Sequence, residues 1–91
     1  MLKGKTSTGY AFTIDDDAKD DYDLMNAFSK LQNGQTEVLD EAVELLLGAK
    51  QRDKLREHCR GKSGRVLASK VIKELEEIIN IIGKSDEPVK N

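Results

Sequence analysis

The sequence has no tryptophan, one cysteine and one histidine, and its aromatic residues are two tyrosines and two phenylalanines. With Cys59 as the only cysteine there is no internal disulfide, which suits a reducing cytoplasm. One histidine and one cysteine cannot complete a structural zinc site, which needs about four ligands. The same poverty argues against catalysis, since no Ser/His/Asp or Cys/His set is evident. No strictly apolar run exceeds three residues, so no segment is expected to span a membrane. No apolar stretch opens the chain, so no signal peptide is expected. With so few aromatic residues the core must be built from Leu, Ile and Val.

What is present is charge. Of the 91 residues, 35% are charged and 37% hydrophobic, enough for one small domain. A core of this size supports only a few kcal/mol of stability, which a partner or self-assembly would supplement. The net charge of -2 hides a dipolar chain. Residues 15–44 hold ten acids against Lys19 and Lys30, a net -8. Residues 50–65 hold seven bases against Asp53 and Glu57, a net +5.

Hydrophobic periodicity predicts a mainly α fold, a small four-helix domain with a short N-terminal β-strand. Residues 1–8 read as a flexible N-terminus, 9–83 as a single helical domain and 84–91 as a disordered tail. Tyr10, Phe12 and Ile14 alternate with small or polar residues, the period of a strand. Asp15, Asp16 and Asp17 offer caps for a first helix carrying Leu24, Met25, Phe28 and Leu31 and ended by Asn33-Gly34. Thr36 is the expected cap of a second helix, with Val38, Leu39, Ala42, Val43, Leu46 and Leu47 on its apolar face and Gly48 as its stop. A charged third helix over residues 49–60 contributes Leu55 and Cys59. A fourth begins near Leu67, carries a Val71, Leu75, Ile78 and Ile82 stripe flanked by Ile72 and Ile79, and is expected to stop at Gly83. The predicted core is Leu24, Phe28, Leu39, Val43, Leu46, Leu55, Val71, Leu75 and Ile78.

Three motif-like segments fail on chemistry. An EF-hand loop opening at Asp15 would put Lys19 at a ligand position, Asp20 where the turn needs glycine, and Asn26 where a bidentate glutamate belongs. Gly61-Lys62-Ser63 and Gly83-Lys84-Ser85 lack the glycine five residues earlier and the leading strand that a phosphate-binding loop requires. The bases of the third helix invite DNA, but the domain is acidic overall and its first two helices would repel phosphates.

One pattern is more specific. Leu46-Leu47-Gly48, then Gln51, Leu55, His58 and Arg60, then Gly64-Arg65-Val66 resembles the tail assembly chaperones of long-tailed phages and prophages of Gram-positive bacteria. Gly9-Tyr10-x-Phe12-x-Ile14-Asp15 and Asp20-Asp21-x-x-Leu24 look like the same family. The resemblance covers roughly residues 9–82. It departs at Leu67, where the family pattern has proline, and at Cys59, where it has an aliphatic residue.

The resemblance implies a non-catalytic protein without cofactor. It would bind the tape measure protein, keep its apolar helical segments soluble and promote tail tube assembly. It would work in the host bacterial cytoplasm and be absent from the finished virion. It also implies a frameshift-extended second product that recruits the tail tube protein; Lys90-Asn91 is what a slippery A-AAA-AAC message would encode. Leu45 and Ile81, off the core stripes, with Leu47 and Ile82 at their edges, are the expected partner-binding residues. A weak head-to-tail homo-oligomer is expected through Asp20 and Asp21 of the first helix and Arg52 and Arg56 of the third. The rival reading is a small dimeric helical regulator that touches DNA.

Overall fold

The computed structural model describes residues 1–85. Strands β1 (Leu2–Lys5) and β2 (Ala11–Ile14) precede helices α1 (Tyr22–Gln32), α2 (Leu39–Leu47), α3 (Ala49–His58) and α4 (Ala68–Ser85). Short 3-10 turns, Asp16–Asp20 and Thr36–Val38, lead into α1 and α2. The fold is mainly helical with four helices, as the periodicity predicts.

The N-terminus departs most from expectation. Residues 1–8 do not form a loose lead: Leu2–Lys5 pairs antiparallel with β2, with Leu2 opposite Ile14 and Gly4 opposite Phe12. Leu2, Gly4 and Thr6 alternate with Lys3, Lys5 and Ser7, a period of two that glycine and threonine make faint. Glycine is needed here, because a Cβ on Gly4 would lie 2.6 Å from Cζ of Phe12, whose ring crosses it. The hairpin turns at Thr6, which accepts from the Gly9 N–H at 3.0 Å, with Gly9 at φ +98°. That is a three-residue loop closed by a left-handed glycine.

The aspartate cluster does not start α1 where expected. Asp16–Asp20 forms the 3-10 turn, pinned by buried Ala18, and Asp21 is the cap, accepting from the Leu24 N–H at 3.0 Å. Asn33-Gly34 ends α1 as predicted. Gly34 donates to the Leu31 carbonyl at 3.0 Å and Gln35 to that of Lys30 at 2.9 Å, a paired C-terminal cap. Thr36 opens a 3-10 turn rather than capping α2, whose N-cap Val38 offers no side-chain bond.

Gly48 at φ +85° and ψ 161° joins α2 to α3 directly, a conformation open essentially to glycine alone. The expected stop at Gly83 is not used: α4 runs through it to Ser85. Gly83 lacks the positive φ that ends helices at glycine, and buried Ile82 holds this turn on the core. The expected domain end at residue 83 therefore falls inside α4. Of the expected tail, residues 86–91 lie outside those described.

The core joins the inner face of the hairpin, Tyr10, Phe12 and Ile14, to the inner faces of all four helices. Leu24, Val43, Leu46, Leu55, Val71, Leu75 and Ile78 are buried as predicted, while Phe28 and Leu39 are half-buried against them. Cys59 is buried at 1% exposure, where an aliphatic side chain would sit equally well. Among the described residues no helix is long and apolar enough to cross a membrane.

Candidate functional site: an apolar groove between α1 and α4

Helix α1 buries Leu24 and Ala27 and leaves Phe28 and Leu31 half-covered on one flank. Helix α4 buries Val71, Leu75 and Ile78 and leaves Ile72 and Ile79, seven residues apart, on the flank facing them. The strip between is a cleft of about 250 Å³ lined by Phe28, Leu31, Leu39, Ile72, Leu75 and Ile79, with Gln32, Thr36 and Glu76 as its polar edge. A second cleft, also about 250 Å³, continues it past Leu24, Met25, Leu46, Ile82 and Gly83, and shares Phe28 and Ile79 with the first. Met25 stands at its mouth, 57% exposed. From Ile72 to Gly83 the groove follows twelve residues of α4, eleven steps or about 16 Å at about 1.5 Å per residue. That length accepts about three turns of a partner helix.

The four residues expected to bind a partner are not brought together. Leu47 and Ile82 are core residues at 7% and 6% exposure, and only Ile82 edges the groove. Leu45 is half-buried near Thr13 and Ala18, on the β2 side of α2. Ile81 packs toward the hairpin, its Cγ2 3.1 Å from where a Cβ on Gly4 would lie. The correction at Ile81 follows from the added strand β1, whose Gly4 meets it on the flank that the single expected strand would leave open. The groove residues carried a signal in sequence: Ile72 and Ile79 flank the α4 stripe at a spacing of seven, and Met25 sits beside that of α1.

Three of the four residues expected to join copies are engaged within the chain. Arg52 lies 2.8 Å from Glu44, 3.5 Å from Asp40 and 3.2 Å from Asp53, and Arg56 lies 3.8 Å from Asp40. Asp21 is the α1 cap, and Asp20 is exposed in the preceding turn. Because α3 folds back beside α2, acids and bases distant in sequence neutralise one another. The hydrogen bond from Arg52 to Asp53 holds its guanidinium above its ordinary pKa, and that from Arg60 holds the Glu57 carboxyl below its own. Arg52, Arg56 and Arg60 thus face carboxylates of their own chain, which weakens α3 as a phosphate-binding face.

A polar cluster ties the hairpin to α3 and α4. The Thr8 hydroxyl donates to Glu74 Oε2 at 2.6 Å and lies 2.8 Å from His58 Nε2. Ser7 donates to Glu77 through its N–H and, at 3.0 Å, through its hydroxyl. Buried Tyr10 donates its hydroxyl to the Gln51 carbonyl at 2.9 Å. The Gln51 side chain in turn accepts from the Thr13 N–H at 2.7 Å and donates to the Thr13 and Leu47 carbonyls at 2.6 and 2.7 Å. Burial, with Cys59 and Glu74 nearby, pushes the Tyr10 phenol up to about 12. Burial, with Glu74 adding to it, pushes the Cys59 thiol up, so at neutral pH it is neither thiolate nor nucleophile. Among the described residues no three of His, Cys, Asp and Glu are placed to hold a metal ion. The cluster fastens secondary structure, and the groove is the surface fitted to receive something.

Comparison with protein-family models, with curated proteins and with solved structures gave no match.

Proposed function

We propose that this protein is a non-catalytic tail assembly chaperone of a long-tailed phage or prophage, and that its groove receives apolar helical segments of the tape measure protein. The observation that carries this reading is the groove itself, a mainly apolar channel about three helical turns long with Phe28 at its middle, Met25 at its mouth and Lys19 at its far end. An amphipathic helix docks into such a channel through residues spaced three and four apart. The adaptable thioether of a methionine suits a site that must accept many similar segments. The family resemblance supplies the partner's identity. It also supplies the host cytoplasm as the place of action, loss from the finished virion, and recruitment of the tail tube protein through a frameshift-extended form. Weak association of copies belongs to the same reading. It draws on the acids of residues 15–23 and on exposed Lys50 and Lys54, because Arg52 and Arg56 are engaged within the chain. Such exposed pairs contribute about 0–1 kcal/mol each and weaken with salt.

Co-expression with tape measure fragments tests the reading. Met25→Asp and Ile72→Asp should abolish recovery of soluble fragment while the circular dichroism of the variants matches the parent. Lys54→Ala, away from the groove, should leave recovery unchanged. Full recovery with both groove variants would overturn the assignment.

A further inference from the structure

The two edges of the hairpin differ. Facing residues of an antiparallel pair alternate between those that exchange backbone hydrogen bonds and those whose N–H and C=O point away. Thr6 donates to the Tyr10 carbonyl at 2.9 Å, so the register makes Gly4 and Phe12 a bonded pair. The backbone groups of Lys3 and Lys5 therefore point outward from β1, as those of Thr13 point outward from β2. On β2 this edge is closed, because the amide of Gln51 takes both the N–H and the C=O of Thr13. On β1, among the described residues, no group bonds the outward N–H or C=O of Lys3 or Lys5. Both lysines are exposed, and buried Phe12 and Ile14 hold the sheet on the core from the other face.

We propose that the outer edge of β1 docks an extended segment of a partner protein with carboxylates at alternate positions, adding a third strand. Main-chain bonds to residues 3 and 5 give such a strand its purchase, as in other sheet-edge recognition. Charge selects the occupant, since carboxylates on the exposed face fall opposite Lys3 and Lys5. A second copy is the wrong occupant, because its own β1 would set lysines against lysines, the usual bar to edge pairing. This surface is separate from the groove between α1 and α4, and neither proposal depends on the other.

Amide exchange followed by NMR on the full chain tests it, with an alternating valine–glutamate octapeptide as probe and a valine–lysine octapeptide as control. The acidic peptide should slow exchange at Lys3 and Lys5 about tenfold when roughly nine-tenths of the edge is covered, and the basic peptide should not. Lys3→Pro removes an outward N–H together with one of the two charges and no bond to β2, so it should keep the hairpin and lose the peptide, whereas Lys3→Ala, which removes the charge alone, should only weaken it. The double variant Lys3→Glu, Lys5→Glu keeps the backbone and should reverse the preference to the basic peptide. Absence of slowing, equal slowing by both peptides, or an unchanged preference in the double variant overturns the proposal. So does slowing that grows with protein concentration without peptide, which would assign the edge to a second copy.

Discussion

At the scale of single residues, Gln51 and Gly48 carry more of the fold than their exposure suggests. Gln51 joins β2, α2 and Tyr10 through four hydrogen bonds. Gln51→Ala leaves the Thr13 and Leu47 groups unpartnered, and urea unfolding should show a loss of about 1–3 kcal/mol. Gln51→Glu keeps an acceptor for the Thr13 N–H and loses both donations, so it should not restore the parent's stability. Gly48→Ala forces a Cβ into a region L-residues avoid and should cost about 1–3 kcal/mol in the same measurement. Tyr10 and Cys59 set the alkaline limit. Both hold their protons more tightly folded than unfolded, so their contribution is complete below the unfolded pKa values, near 10 for Tyr10 and near 9 for Cys59. It is lost as pH rises through the folded ones, about 12 for Tyr10. The urea midpoint should fall as pH rises from about 9 toward 12, and Tyr10→Phe should remove the upper part of that fall.

At the scale of elements, helix existence was legible and the means of starting helices was not. The α1 and α4 stripes and the Asn33-Gly34 end follow directly from spacing and turn chemistry. The starts of α1 and α2 do not, because Asp15, Asp16, Asp17 and Thr36 are all good caps. The choice among them fell to packing, with Ala18 drawn inward and Thr36 left in a 3-10 turn. Strand β1 was illegible because Gly4 and Thr6 occupy its inward positions, and the need for glycine appears only once Phe12 lies across it. The residues that carry the family resemblance prove to be structural. Leu55 is fully buried, Gly64 holds φ +89°, Val66 bridges to Arg60, and His58 meets Thr8. Such residues report packing and turn geometry and carry no signal for the groove. Thr8→Val tests the fastening of the hairpin. It strips the bond from buried Glu74 Oε2, whose Oε1 already has no hydrogen-bond partner among the described residues, and should cost about 1–3 kcal/mol in thermal or urea unfolding.

At the scale of the whole molecule, the acidic and basic blocks of the chain meet within it where Arg52 and Arg56 of α3 face Asp40 and Glu44 of α2, all in exposed or half-exposed pairs. Added salt should therefore change the unfolding midpoint little, by no more than about 1 kcal/mol in stability, as expected for exposed pairs. The apolar groove behaves differently, since its exposed aliphatic surface is available to any apolar dye. ANS fluorescence should rise on binding the native protein and fall by about half or more in Ile72→Asp with Met25→Asp, with secondary structure unchanged.

The hairpin latch also orders events in time. Thr8 and Glu74 are 66 residues apart, and Ser7 and Glu77 are 70 apart. Along the chain the hairpin comes first and its α4 anchors last, with α3, whose Gln51 already holds Tyr10 and Thr13, between them. Closing so long a loop is entropically costly, so docking of the hairpin should be the late, slow step of refolding.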